Sequence, residues 1–131
     1  MGGLQRPDMQ EEAQQAPERA AKKLNVLWTS GDKDTALVMV FKYLHDMQQQ
    51  TGLDEVTLLI WGAATQLSLE DADMQECICT ALASGVRVIA ARKWAEQLHG
   101  VSRLEALGVE VYPTGSMLTD WLHSKHPVHS V

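Results

Sequence analysis

The sequence predicts one α/β domain, a three-layer α/β/α sandwich around a mostly parallel sheet of four or five strands. Its 131 residues are the length of a single domain, and 45% of them are hydrophobic, which is enough for a core. Short apolar runs rich in β-branched residues alternate with amphipathic stretches of helical period, as in parallel sheets. The second run, residues 55–61, shows no apolar–polar alternation, which is expected of a strand covered on both faces. The order of the strands does not follow from this pattern.

Composition limits the classes of function. The net charge of −6 argues against nucleic-acid binding, which needs a basic surface. No stretch approaches the roughly 18 apolar residues of a membrane-spanning helix, and the first residues lack the apolar core of a signal peptide. Two cysteines are too few for a disulfide framework. We therefore expect a cytoplasmic protein with no nucleic-acid or membrane partner, in which a flexible tail (residues 1–22) precedes one domain (residues 23–131).

The first strand is predicted at residues 24–29, and the helix after it at residues 35–50. The turn between them contains Gly31, and Ser30, Asp32 or Asp34 can cap the helix by accepting its free N–H groups. The turn lacks the Gly-Lys-Ser/Thr of a P-loop, so capping is favoured over phosphate binding. The spacing predicts a buried helix stripe of Ala36, Leu37, Val40, Phe41, Tyr43, Leu44 and Met47.

Small residues follow the second strand. Gly62, Ala63, Ala64 and Thr65 would let the backbone approach a ligand or a neighbouring subunit. A close-packed turn explains the same residues equally well, so both interpretations stand.

The two cysteines lie on a helix predicted at residues 71–84. Cys77 falls on its buried stripe and is expected to be a small core residue. Cys79 points about 200° away in an ideal helix, so it lies on another face. A reactive thiol needs a helix N-terminus or a nearby cation, whereas Asp73 and Glu76 are the charges near Cys79.

A functional site is expected where the third strand, residues 86–90, crosses into the helix at residues 93–98. In open α/β sheets, ligands bind outside the carboxyl ends of the strands. Arg92 and Lys93 at this crossing would attract a small anion or an acidic partner loop. The alternative is that both are solvated charges on an acidic protein.

The last third of the chain continues the alternation. A helix capped by Ser102 is predicted at residues 103–107, a strand at 109–112, a helix at 116–122 and an edge strand near Val128. Histidines recur every three residues near the end, but Pro127 breaks the helix that would place them on one face, so neither a metal site nor a cofactor is predicted. These histidines are His123, His126 and His129.

Tryptophans are spread over successive elements, and a domain of this size has a limited interior. Some of them are therefore expected in subunit contacts, which predicts a homo-oligomer. The four are Trp28, Trp61, Trp94 and Trp121.

An ordered series of stretches runs through residues 24–131. They are Val-Leu-Trp-Thr-Ser at 26–30, Val-Thr-Leu-Leu-Ile-Trp-Gly at 56–62, Gly-Val-Arg-Val-Ile-Ala at 85–90, Gly-Val at 100–101, Leu-Glu-Ala-Leu-Gly-Val-Glu-Val at 104–111, and Gly115 with Leu-Thr at 118–119. Together they resemble the DsrE-like family of small sulfur-relay proteins. The series, rather than any single motif, carries the resemblance.

The resemblance implies a compact α/β/α domain that assembles into dimers, trimers or hexamers. Family members with a cysteine at the start of the helix after the third strand are associated with carrying persulfide sulfur between partners. A helix N-terminus lowers the pKa of such a thiol and so favours the thiolate. Here Trp94 aligns with that cysteine, and Ala91 stands at a second position that can be cysteine. Neither side chain can hold a sulfane sulfur, so the sequence departs from the family at the residue that carries its chemistry.

Three functions are compatible with the sequence. The first is a non-catalytic DsrE-like binding or oligomeric assembly module linked to sulfur metabolism, with Trp94 in an interface or against a ligand. The second is a sulfur carrier or sulfurtransferase that uses Cys79 or Cys77 with a sulfur-relay partner. The third is a protein that binds a small molecule, an anion or a nucleotide at the strand ends, where Ser30, Asp32, Gly62 and Thr65 would lie.

Overall fold

The computed structural model describes residues 22–50 and 52–131, which form a single five-stranded sheet with all strands parallel. The predicted α/β fold class is therefore confirmed, and so is the edge strand near Val128. The predicted tail at residues 1–22 lies outside the described residues except for Lys22. The strands are β1 (Lys23–Trp28), β2 (Glu55–Ile60), β3 (Arg87–Ala91), β4 (Glu110–Tyr112) and β5 (Val128–Ser130). Their order across the sheet is β4-β3-β2-β1-β5.

Helices connect the strands, and the first connection is one continuous helix with a π-helical middle. It begins earlier than predicted, at Lys33, because the carboxylate of Asp32 accepts hydrogen bonds from the N–H and hydroxyl of Thr35. The π-helical part was not predicted, since apolar spacing does not reveal a hydrogen-bond register. The helical segments are α1 (Lys33–Thr35), the π-helix (Ala36–Lys42), α2 (Tyr43–Gln48), α3 (Ala63–Glu70), α4 (Ala72–Ala83), α5 (Arg92–Gln97), α6 (Val101–Leu107) and α7 (Gly115–His123).

Other element boundaries also differ from the sequence prediction. Residues 62–65 were interpreted either as a close backbone approach to a ligand or subunit or as a close-packed turn, and no helix was predicted there, but only Gly62 turns, with φ of 65°, and α3 begins at Ala63. The predicted cap Ser102 lies inside α6, whose N-cap is Gly100. Part of the buried side of α3 is small and polar, Thr65 and Ser68 included, so it lacks the apolar period that marks an amphipathic helix.

The core lies between one face of the sheet and the helices up to α6. Strand side chains alternate between faces, so every second residue of β1, β2 and β3 points into this core. The connections from β1 to β4 all step in one direction and place their helices on this face. The return from β4 to β5 places α7 on the other face. The core strand residues include Val26, Trp28, Leu58, Ile60, Val88 and Ala90.

Trp28 belongs to this core and not to a ligand site. Its side chain is fully buried and packs edge-on against Phe41, with ring centroids 5.2 Å apart. The indole Nε1 donates to the carbonyl of Ser30 at 2.9 Å, so the buried polar atom is satisfied. Within the part of the chain that the structure describes, no helix is both long and apolar enough to cross a membrane.

Candidate functional site

A pocket of about 330 Å³ opens at the carboxyl ends of β2, β3 and β4. Three segments line it, and each follows a strand: Trp61 after β2, residues 91–94 and 96 at the start of α5, and residues 113–115 after β4. Parallel strands end together at one edge of a sheet, so their following segments meet there. The structure thus brings Arg92, Lys93 and Trp94 into one pocket.

The two cations of the pocket differ in availability. Arg92 donates from Nε to Glu96 at 2.9 Å, one helical turn on, and from Nη1 to the carbonyl of Val111 at 3.4 Å. Lys93 is exposed and forms no ion pair with any described residue. Lys93 is therefore the cation that an incoming negative charge would meet.

The walls of the pocket are mainly apolar. Trp94, the third residue of α5, keeps 38% of its surface exposed, and the half-buried Trp61 faces the same pocket. Pro113 extends this apolar surface. Aromatic rings give a ligand a large contact area at low entropic cost. Two indoles beside one unpaired lysine suit a small ligand with an apolar body and a single negative charge.

Thr114 lines the same pocket and was not predicted as a site residue. It is the N-cap of α7, yet its side chain makes no capping hydrogen bond. The residue is 3% exposed, and its Oγ1 has no hydrogen-bond partner among the described residues. The sequence does show a threonine between a strand end and a helix start. Such a threonine is expected to cap the helix through its hydroxyl, so the sequence does not predict that the hydroxyl is unpaired.

Four predicted site residues lie at the ends of β1 and β2, and none of them lines the pocket. The Ser30 hydroxyl accepts from the N–H of Asp32 at 3.1 Å. Asp32 caps α1, and its hydrogen bonds with Thr35 hold the pKa of its carboxyl below the usual value. Gly62 supplies the positive φ that starts α3. Thr65 is fully buried, with no partner for its hydroxyl in the described chain.

Both cysteines lie on α4, outside the pocket. Cys77 is half-buried rather than part of the closed core. Burial raises the pKa of its thiol, and the charges of Glu76 and Asp73 raise it further. Cys79 is exposed on the same helix, well past its first turn.

Of the histidines near the end of the chain, His129 packs against the first helical connection. The ring of His129 stacks on Tyr43 with centroids 4.2 Å apart, and its Nε2 lies 3.2 Å from the carbonyl oxygen of Met39. Across residues 22–50 and 52–131, no three His, Cys, Asp or Glu side chains gather as metal ligands would.

Comparisons with known proteins define the fold. No family model and no curated protein matches the chain. A solved structure of BT1422 from Bacteroides thetaiotaomicron, described as a conserved protein of unknown function, superposes with a TM-score of 0.80 and 28% identity over 84% of this chain and 95% of its own. The ychN protein from E. coli superposes with a TM-score of 0.62 and 17% identity over 86% of this chain and all of its own. Both share the fold, and neither description supplies an activity.

Proposed function

We propose that the chain is a divergent DsrE-like protein that acts as a non-catalytic binding and assembly module linked to sulfur metabolism. One observation carries this proposal: Trp94 stands where the resemblance expects the sulfur-carrying cysteine, and its indole forms a wall of the pocket. The likeness in fold to two solved structures supports the α/β/α architecture that the resemblance implies.

The chemistry of the pocket favours binding over sulfur transfer. Persulfide transfer needs a thiolate that attacks and then releases a sulfur atom. The pocket residues include no cysteine, and they offer Trp61, Trp94 and Lys93 in its place. The ligand class that these groups recognise is a small apolar molecule bearing one carboxylate or similar anion.

Calorimetric titration tests the binding part with benzoate as the anionic probe and benzyl alcohol as its uncharged match. Benzoate should bind more tightly, because only it pairs with the lysine. Lys93→Gln should weaken benzoate about tenfold and leave benzyl alcohol unchanged. Lys125→Gln removes an exposed lysine outside the pocket and serves as the control. Equal affinities for the two probes, or no effect of Lys93→Gln, would refute the proposed ligand class.

A cysteine restored at position 94 tests the family alignment. In a protein with Cys77→Ser and Cys79→Ser, Trp94→Cys should be alkylated faster at neutral pH than Ala106→Cys, since Lys93 beside it favours the thiolate. After incubation with polysulfide, mass spectrometry should find retained sulfane sulfur on Trp94→Cys and not on Ala106→Cys. Equal labelling and equal sulfur loading would show that position 94 is not the family's sulfur site.

The exposure of Cys79 favours a second candidate, a sulfur carrier that presents this thiol on α4 to a relay partner. Unmodified protein treated with polysulfide distinguishes it from the first candidate. Sulfane sulfur that is retained and then lost in Cys79→Ser would establish the carrier. If no sulfane sulfur is retained, the carrier is refuted and the binding module remains the proposed function.

Exposed apolar side chains support assembly into a homo-oligomer. Val38 and Met39 on the π-helix and Leu122 on α7 remain largely open to solvent. Light scattering at micromolar concentration should give a dimer, trimer or hexamer, and Met39→Glu should reduce the assembly whereas the matched surface change Gln66→Glu should not. A monomer throughout would remove the assembly part and leave ligand binding to stand on its own test.

A further inference from the structure

A second cavity, of about 280 Å³, lies on the face of the sheet that α7 covers, at the end opposite the pocket. Its floor is a row across the first halves of three strands, because Asn25 pairs in register with Thr57, and Thr57 with Arg87. The side chains of Asp120 and Trp121 on α7 line the other side. The cavity is therefore built by the sheet and α7 together.

The floor carries two buried polar groups that have no partner in the described chain. Asn25 is 6% exposed and Thr57 is 5% exposed, and neither side chain forms a hydrogen bond with another described residue. Among the described residues, the unpaired side-chain polar atoms that are sealed from solvent belong to Thr65 and Thr114. The polar atoms of Asn25 and Thr57 are not among them, so these atoms border open space. Two apolar side chains at these positions would cost less free energy on a covered sheet face, because a buried polar group is destabilising unless it is hydrogen-bonded.

The charges around the cavity disfavour an anionic ligand. Lys23 pairs with Glu55 at 3.4 Å, and Arg87 forms two hydrogen bonds to Glu110 at 2.8 and 2.9 Å. Lys23 and Arg87 are thus already neutralised, and the remaining basic residue of the lining, His126, carries an imidazole rather than a fixed charge. Asp120 forms no ion pair within the described residues and adds negative charge. A ligand here must be recognised by hydrogen bonds rather than by charge.

We propose that this cavity binds an uncharged nucleobase, free or as its nucleoside. The Asn25 carboxamide offers a donor and an acceptor side by side, which is the arrangement that asparagine uses to bond the edge of adenine. The Thr57 hydroxyl supplies a third hydrogen bond next to it. Trp121 provides the kind of aromatic surface on which bases stack. Asp120 selects against phosphate, so the nucleotide binds less well than the nucleoside.

Asn25 is the only asparagine of the chain, so protein labelled with ¹⁵N-asparagine gives a single pair of side-chain amide signals. Adenine and adenosine are titrated separately, which distinguishes the free base from the nucleoside, and AMP is the charged comparison. Adenine or adenosine should shift this pair saturably, and AMP should bind more weakly than adenosine. No shift at millimolar adenine and adenosine, which means a hydrated cavity only, would overturn the proposal, as would tighter binding of AMP.

Thr57→Val keeps the shape of the floor and removes its hydroxyl. It should weaken the better of the two probes about tenfold, the expected loss for one hydrogen bond of this kind. Thr119→Val on α7 removes an exposed hydroxyl outside the cavity and is the matched control. Thr57→Val should also melt close to the temperature of the unmodified protein, because no described residue bonds the hydroxyl that it removes. Unchanged binding in Thr57→Val, or an equal loss in Thr119→Val, would overturn the site.

Discussion

Replacing Thr114 by valine should stabilise the protein, although threonine at a helix N-cap normally contributes stability. A capping threonine accepts a hydrogen bond from an N–H in the first turn of its helix. Thr114 precedes α7 but makes no such bond, and its Oγ1 is buried without a partner among the described residues. The substitution therefore loses no cap and removes an unsatisfied hydroxyl beneath the pocket.

The expected gain follows from the cost of that hydroxyl. Burying a hydroxyl without a hydrogen bond costs about 1–3 kcal/mol by the effects of substitutions in proteins. Thr114 is 3% exposed, so nearly the whole cost applies. Allowing for relaxation around the valine, Thr114→Val should gain about 1–2 kcal/mol. Each kcal/mol raises Tm by about 3–5 °C in a domain of this size.

Urea unfolding followed by circular dichroism measures the change, with calorimetry giving Tm. Asp71→Ala is the control for a cap that does form, since its carboxylate accepts from the N–H of Met74 at 3.0 Å, and it should lose about 1 kcal/mol. Thr65→Val, which removes the other sealed hydroxyl, should behave like Thr114→Val. If Thr114→Val destabilises the protein as Asp71→Ala does, the hydroxyl has a partner and the reasoning is wrong.

Two further substitutions probe packing and electrostatics. Gly100→Ala should lose about 1–3 kcal/mol in urea unfolding, because its Cβ would collide with the Leu69 side chain, whereas Gly115→Ala, with nothing within 4 Å, should not. Arg87 holds the pKa of Glu110 below its usual value through their hydrogen bonds, so the stability they add is present above the unfolded pKa of glutamate and is lost as pH falls through the folded one. Both side chains are 46% exposed, so Glu110→Gln should cost less than about 1 kcal/mol at pH 7 and a smaller amount at pH 2. An equal cost at both pH values would contradict this origin.

The parts of the structure that were predicted from the sequence are those with a strong local signal. Residues 55–61 and 86–90 are apolar runs, and both form central strands because only a doubly covered strand tolerates such a pattern. Lys93 and Trp94 were placed in a candidate site by the rule that ligands bind outside the carboxyl ends of the strands, and both residues line the pocket. Local pattern and general topology were sufficient there.

The parts that were missed depend on contacts between distant residues. Asn25 and Thr57 are far apart in the chain, and nothing local reveals that they share a register across two strands. Thr114 carries a sequence signal for capping, but whether its hydroxyl bonds depends on how α7 meets the sheet. The pocket and the cavity beneath α7 therefore both follow from strand order, which a single sequence does not contain.

Strand order also explains why the pocket lies at the carboxyl ends of β2, β3 and β4. Ligands in open α/β sheets bind outside the carboxyl ends of the strands, and one such place lies between β1 and β5, where the chain has crossed back over the sheet. That place is filled, because the carbonyl of Val131 accepts hydrogen bonds from the N–H and hydroxyl of Thr29, at 2.7 and 2.8 Å, and from the N–H of Ser30 at 3.3 Å. Ser30 and Asp32, which general topology favours as ligand contacts, consequently serve the chain itself. The open carboxyl edge that remains is the one where Trp61 and Trp94 stand.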